Sequence, residues 1–363
     1  MRAVVLVGGQ GTRLRPLTYA VPKQMLPVAG MTMLERVVGR LAGFGIDEVV
    51  LSLGYRPDAF TAAFPTGEAA GVRLVYAVEP EPLDTAGAIR FAAAAAGVDE
   101  TFLVLNGDVL TDLDVGALVD FHRRRGARAT LALTPVEDPS AFGVVPTDAE
   151  GKVTAFIEKP ERETAPTNLI NAGTYVLEPD VLDLIPSGRP VSVERATFPA
   201  LVERGELYAT ASDAYWLDTG TPAQFIQACV DMVGGRRLGR PAPRPGVSLI
   251  APGVWAAAGV EPKGDVTGPT LLEEGCSVEA GASVAGSLIG PGARVAEGAE
   301  VSGSVVMAGA VIEAGAVVSG SVVGFRARVG ADARLEPVSV VGVEAELGAG
   351  QVVADGRWPP LER

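Results

Sequence analysis

Three glycines, two cations and two distant carboxylates hold the chemistry within this chain's reach. Gly8, Gly9 and Gly11 expose backbone N–H groups that no Cβ shields, and Thr12, Arg13 and Arg15 follow at once. Such a loop lets phosphate oxygens approach the main chain, while a guanidinium just beyond can grip them in a bidentate fashion. Lys23, ten residues after Arg13, adds a compact second cation. Asp108, in Asn106-Gly107-Asp108, is an oxygen ligand of the kind that holds Mg²⁺ against phosphates, and a second carboxylate, Asp218, stands in Trp216-Leu217-Asp218-Thr219-Gly220-Thr221-Pro222. Lysine is scarce, with four (Lys23, Lys152, Lys159, Lys263) against 26 arginines, and Lys23 and Lys159 both fall in candidate phosphate motifs. Each feature also has a plainer reading. The glycine loop is equally an ordinary strand-to-helix turn, Asp108 a turn aspartate, and Glu158-Lys159 a solvated surface pair.

The elements that must position these residues alternate. An apolar run, Ala3–Val7, reads as a buried parallel strand ending at the glycines. A helix is predicted over Met33–Phe44, strands over Glu48–Leu53 and Val72–Val78, and a helix over Thr85–Ala96 that stops at Gly97. Thr101–Leu105 is the next strand, and a helix over Val115–Arg124 follows. This is the pattern of a doubly wound α/β domain, whose ligands gather where strands end, as both the glycine loop and Asp108 do. Phe142–Val145 and Val153–Ile157 read as paired strands, and Ala223–Val233 as a helix after Asp218. Asp84 reads as a helix N-cap, His122 as part of a solvated helix end, and Cys229 as core. The loop lacks the Gly-Lys-Ser/Thr ending of a P-loop, and Leu14 stands where a dinucleotide fingerprint needs its third glycine.

The longer string GGQGTRLRPLT with Pro22-Lys23 resembles the signature of the sugar-1-phosphate nucleotidyltransferases. The resemblance runs over residues 1–233 and implies a Rossmann-like, GT-A-like fold. It implies that Leu6, Gly8, Gly9, Gly11, Thr12, Arg13, Lys23, Gly87 and Asp108 take the nucleotide, and that Asp108 and Asp218 together coordinate magnesium. Gly143 and Asn171 would line a sugar pocket, Glu158 would receive sugar hydroxyls, and Lys159 would hold the sugar phosphate. The catalytic set is then Arg13, Lys23, Asp108, Lys159 and Asp218. Asn168–Ala209 is most similar to the branch that joins GTP to mannose 1-phosphate. Gln24, where that branch usually carries proline, keeps a thymidylyl or uridylyl transfer to glucose 1-phosphate open, and a catalytically silent regulatory subunit is the rival of another class.

With 48% hydrophobic and 20% charged residues in 363, the chain can build sizeable cores, and two domains are expected. The net charge of −14 disfavours nucleic acid and anionic membrane as partners. Two cysteines make neither a disulfide framework nor a zinc site, and no apolar run has spanning length, so a cytoplasmic setting is expected.

Beyond a Gly-, Pro- and Arg-rich linker at 234–247, aliphatic residues recur every six positions from Val254. The period tightens to blocks of 17 at Leu271–Ser287, Leu288–Ser304 and Val305–Ser321, each ending in Gly-Ser. Four places after a hexad aliphatic the chain tends to be small, as at Cys276, Ala282 and Ala293, which a narrow interior requires. Residues 248–363 resemble a hexapeptide left-handed parallel β-helix. Without a histidine they lack the usual means of acyl transfer, and homo-oligomerisation or regulation is the expected role, with Trp358-Pro359-Pro360 capping one end.

Overall fold

A computed structural model describes residues 1–237, 239, 241 and 243–361; three positions of the expected linker, Leu238, Arg240 and Ala242, lie outside the described residues. Packing divides the chain into two compact units, Met1–Gly9 with Leu34–Trp216, and Gln10–Met33 with Leu217–Arg363. Residues 10–33 and 217–233, expected with the α/β domain, therefore group with the repeats. Among the described residues no helix is long and apolar enough to cross a membrane.

In the first unit the chain forms β1 (Ala3–Leu6), β2 (Glu48–Leu53), β3 (Val72–Val78), α2 (Asp84–Ala95), β4 (Phe102–Asn106), α3 (Val115–Arg125), β5 (Ala129–Pro135), β6 (Leu169–Leu177) and β7 (Leu207–Ala211). A preceding helix, α1 (Met33–Ala42), enters it from residue 34. The centre of the sheet is parallel, in the order β4-β1-β2-β3. The α/β expectation thus holds, with an antiparallel addition. β6 pairs with β4 and with β5, and beyond it the short strands Gly143–Val144 and Ile157–Glu158 close the sheet's edge. Continuous burial of Val4, Val50, Val104 and Leu131 against Ala86, Ile89, Ala92 and Ala93 of α2 fixes which face each strand presents. Small alanines let the helix lie close to the sheet.

Three expectations need correction here. Asp84 does not cap α2: Leu83 holds that place, and Asp84 sits at φ +58° with its carboxylate accepting its neighbour Thr85 N–H at 2.7 Å. His122 is 1% exposed, not solvated. Its Nδ1 meets Thr130 Oγ1 at 2.9 Å and its Nε2 meets Glu178 Oε1 at 3.0 Å, two partners far along the chain that satisfy both ring nitrogens. The pairing expected over Phe142–Val145 and Val153–Ile157 shrinks to a two-residue ladder, Gly143 opposite Glu158 and Val144 opposite Ile157, with one further bridge at Thr147 and Val153.

In the second unit, α4 (Pro222–Gly234) begins at a capping box in which Thr221 and Gln224 satisfy each other's backbone N–H groups. The repeats form a left-handed parallel β-helix of three flat sheets. Registers of 17 stack Leu271, Leu288, Val305 and Val322, and one coil of 18 brings Val340 beneath them. The hexad aliphatics and their small companions fill the interior, Cys276 among them; burial pushes its thiol up to about 12. The Gly-Ser endings build a buried ladder. Ser287 Oγ accepts Ser304 N–H, and Ser304 Oγ accepts Ser321 N–H, both at 3.0 Å. Trp358 lies on the last coil against the core and donates to Glu346 O at 2.8 Å.

Candidate active site

In the second unit the glycine loop folds into one turn of 3₁₀ helix, Thr12–Leu14, after Gly11 at φ +61°. A Cβ on Gly11 would press on Thr18 Cγ2 at 3.0 Å and Lys23 Cβ at 3.2 Å, so the glycine keeps the loop folded back on Lys23. Thr18 Oγ1 ties the turn by donating to Gly11 O at 2.9 Å. Lys23 is 6% exposed and its Nζ stands 3.5 Å from Asp218 Oδ1; Arg13, well exposed, reaches Asp218 Oδ2 at 3.7 Å. A side chain on Gly220 would collide with the Arg13 guanidinium, which is how the Asp218-Thr219-Gly220 motif admits it. Three residues singled out by sequence, 200 positions apart, therefore form one cluster.

Asp218 Oδ1 is buried and accepts no hydrogen bond among the described residues; Lys23 gives it charge but not an aligned donor. An acceptor left this way is costly unless a cation or donor completes it. That is the environment a carboxylate would have before a divalent ion arrives. Among the described residues no three His, Cys, Asp or Glu side chains stand together to hold an ion on their own. The set suits an ion such as Mg²⁺, which is commonly held by one or two carboxylates with substrate phosphates supplying the rest.

In the first unit the strand ends converge. Gly107 N–H donates to Leu6 O at 2.9 Å, and a Cβ there would meet Val7 Cγ1 at 2.6 Å, so Asp108 leaves its strand directly beside the end of β1. Gly8 approaches Gly54, and a Cβ on it would lie 3.5 Å from Glu79 Oε1. Glu79, at the head of the stretch that leads to Gly87, has no role of its own assigned from sequence. Its carboxylate takes Ser52 Oγ–H at 2.9 Å and Leu83 N–H at 3.0 Å, and its place at the end of β3 was the available signal.

Asn171, Ala172 and Gly173 form an irregularity in β6, where the register against β5 shifts between Asn171 and Tyr175. Gly173 at φ +72° approaches Asn106, whose Nδ2 would lie 2.7 Å from an added Cβ. The Asn171 amide donates to Tyr175 Oη at 2.9 Å and accepts Gly173 N–H at 3.0 Å, so the side chain is pinned. Gly143 faces Glu158 in register, and its missing Cβ leaves room for Phe156. Lys159 is 60% exposed with Nζ 3.6 Å from Glu158 Oε1, and its backbone is held at φ +50° while its N–H donates to Phe142 O. Gly87 stands apart. It is buried beneath Arg189 and Val191, and it borders a cavity of about 510 Å³ with Pro80, Glu81 and Arg90.

In the second unit, the glycine turn with Arg13 and Lys23 beside Asp218 has the cationic groups to meet phosphate oxygens. A model described as Nucleotidyl transferase matches residues 2–233, and one described as GMPPB C-terminal domain matches residues 266–360. The chain belongs to the nucleotidyl transferase family. It is similar to Mannose-1-phosphate guanylyltransferase of Mycobacterium tuberculosis, 44% identical over 295 residues and 79% of each chain. Mannose-1-phosphate guanyltransferase of Debaryomyces hansenii is 40% identical over 63% of this chain and 64% of its own length. The solved structure of HddC from Yersinia pseudotuberculosis complexed with GMP-PN aligns with a TM-score of 0.55 at 28% identity, covering 63% of this chain and 97% of that one.

Proposed function

We propose that this chain joins GTP to mannose 1-phosphate, releasing pyrophosphate and forming GDP-mannose. The observation that carries the reaction class is the cluster of Arg13 and buried Lys23 around Asp218 with its unpartnered Oδ1. The substrate pair draws its support from the 44% identity to the mycobacterial relative.

The phosphate oxygen of mannose 1-phosphate attacks the α-phosphorus of GTP in line. The bond to the bridging oxygen of the β-phosphate breaks, and its electron pair leaves on pyrophosphate. A phosphate monoester is already a nucleophile at neutral pH, so no general base is required. Both reactants are anions, and the protein's task is to hold them and neutralise charge. Leu6, Gly8, Gly9, Gly11, Thr12 and Gly87 are assigned to nucleotide binding, with Arg13 and Lys23 on its phosphates. Lys159 holds the sugar phosphate, Glu158 accepts from sugar hydroxyls, and Gly143 and Asn171 shape the pocket. Asp108 and Asp218 are the carboxylates assigned to a divalent ion, Mg²⁺ in this reading, which when bound neutralises phosphate charge. Residues 1–233 are taken as the catalytic domain, 234–247 as the linker and 248–363 as the β-helix. A cytoplasmic location and homo-oligomerisation through the β-helix belong to the same reading.

The test is pyrophosphate release with Mg²⁺, crossing GTP, dTTP, UTP, ATP and CTP against mannose and glucose 1-phosphates. Release confined to GTP with mannose 1-phosphate supports the assignment. A dTTP or UTP preference with glucose 1-phosphate overturns the substrates, and silence with every pair overturns the enzyme.

A further inference from the structure

Residues 10–33, which carry Arg13 and Lys23, touch the β-helix at two places. At one, Pro16 lies where a Cβ on Gly342 would meet its Cγ at 3.0 Å and its Cβ at 3.2 Å. At the other, Ala29 O accepts Arg244 N–H at 3.0 Å, and the Arg244 guanidinium is paired to Glu273. Gly30, at φ +82°, comes so close that a side chain would collide with Glu273 Oε1.

Glu273 and Gly342 hold the same place in successive coils. The N–H groups of Glu273, Gly290, Met307, Gly324 and Gly342 donate to Ile289, Val306, Val323, Val341 and Trp358 in turn, each one coil along. One corner of the β-helix, four coil spacings or roughly 19 Å tall at about 4.8 Å per coil, thus carries both contacts. A cavity of about 390 Å³ bordered by Pro27, Gly30, Arg244, Glu273, Met307 and Phe325 lies along this corner.

Glu273 is an unusual residue for that corner, whose other places hold glycine or methionine. It is 3% exposed, and its Oε1 accepts no hydrogen bond among the described residues. A buried carboxylate with one cationic partner is a poor source of stability, and such groups are kept where they fix an arrangement. What this one fixes is the backbone at Ala29 and Gly30, six residues after Lys23.

We propose that this corner is a positioning device for the nucleotide loop: Glu273 acting through Arg244, and Gly342 acting through Pro16, set where Arg13 and Lys23 stand. The inference rests on the reading of those two cations as nucleotide ligands. The sugar-side residues Gly143, Glu158, Lys159 and Asn171 belong to the other unit, so the device acts on the nucleotide and leaves sugar phosphate binding alone.

The experiment uses the full chain and three variants, Glu273→Gln, Gly342→Ala and Arg244→Lys, measured by calorimetric binding of GTP with Mg²⁺ and by steady-state pyrophosphate release. Glu273→Gln and Gly342→Ala are expected to raise the GTP Kd and KM about tenfold and lower kcat, with the sugar 1-phosphate KM within twofold of wild type. Arg244→Lys, which keeps the charge but not the fork, gives a smaller shift of the same sign. The two anchors are four coils apart, so a variant that fails to fold leaves the other to decide. Folded variants with wild-type GTP affinity, or with both substrates weakened equally, overturn the proposal. Because GTP binding is read without turnover, a wild type that binds GTP yet transfers nothing contradicts the proposed reaction while the anchors are still tested.

Discussion

Left-handed backbone recurs at the β-helix corners, at Gly275, Gly292 and Gly309 and then at Arg326 and Glu344, whereas in the α/β unit it falls on single motif residues such as Asp84 and Lys159. In the first case the conformation serves a repeat. Later coils replace glycine with Arg326, Asp332, Val338, Glu344 and Asp355, and the stacked strands on either side absorb the strain. In the second case nothing repeats: among the described residues of that unit the strained non-glycine positions are Arg56, Ala70, Asp84 at the start of the helix that carries Gly87, and Lys159 in the proposed sugar-phosphate segment. Within the second unit the buried polar groups divide as well: the serines of the β-helix are linked by their ladder, while Asp218 beside Lys23 and Glu273 beside Arg244 each keep an oxygen without a hydrogen bond among the described residues. Strain and unmet polarity that persist without a structural return mark a site.

The comparison breaks most sharply under charge removal. Lys23→Ala or Asp218→Asn should cost a hundredfold or more in pyrophosphate release, the scale for charge-stabilising groups. The circular dichroism spectrum should be unchanged, because neither residue holds a sheet together. Lys159→Gly separates strain from function. Glycine relaxes the φ of +50° and should raise the melting temperature slightly, yet the sugar 1-phosphate KM should rise at least tenfold. If glycine there left KM intact, Lys159 would be a corner residue like Arg326.

For the serine ladder and the strained corners of the β-helix, away from Glu273 and Gly342, the expected effects are on stability alone. Ser304→Ala leaves Ser321 N–H buried without its acceptor and should destabilise the repeats by about 1–3 kcal/mol in denaturant melts, with kcat unchanged. Val338→Gly, at φ +67°, should stabilise them by about 1 kcal/mol. Smallest of all, Cys276 should resist alkylation at pH 8 in the folded chain, since its pKa near 12 keeps it a thiol there.

How much of this was legible in the sequence follows from how local each cause is. β2, β3 and α3 stand almost where the apolar runs place them, because their burial and caps are written within a dozen residues. The 17-residue period was readable for the same reason, coil by coil. The motifs around Arg13, Lys23 and Asp218 named the cluster, but only the fold shows Gly220 making room for the guanidinium. His122 was misread because Thr130 and Glu178, its partners, come from other elements. Asp84 looked like a cap because aspartate usually is one, and no local signal announces a positive φ. The contacts of residues 10–33 within the second unit include Glu273 against Gly30 and Gly342 against Pro16, more than 240 and 320 positions away in the chain, and no local signal announces them.

The most direct test of the central claim is the steady-state rate of pyrophosphate release from GTP and mannose 1-phosphate by Lys23→Ala beside wild type, with both melting temperatures recorded. The account predicts a rate lower by about a hundredfold or more at a melting temperature within a few degrees. A folded Lys23→Ala enzyme that keeps the wild-type rate would contradict it.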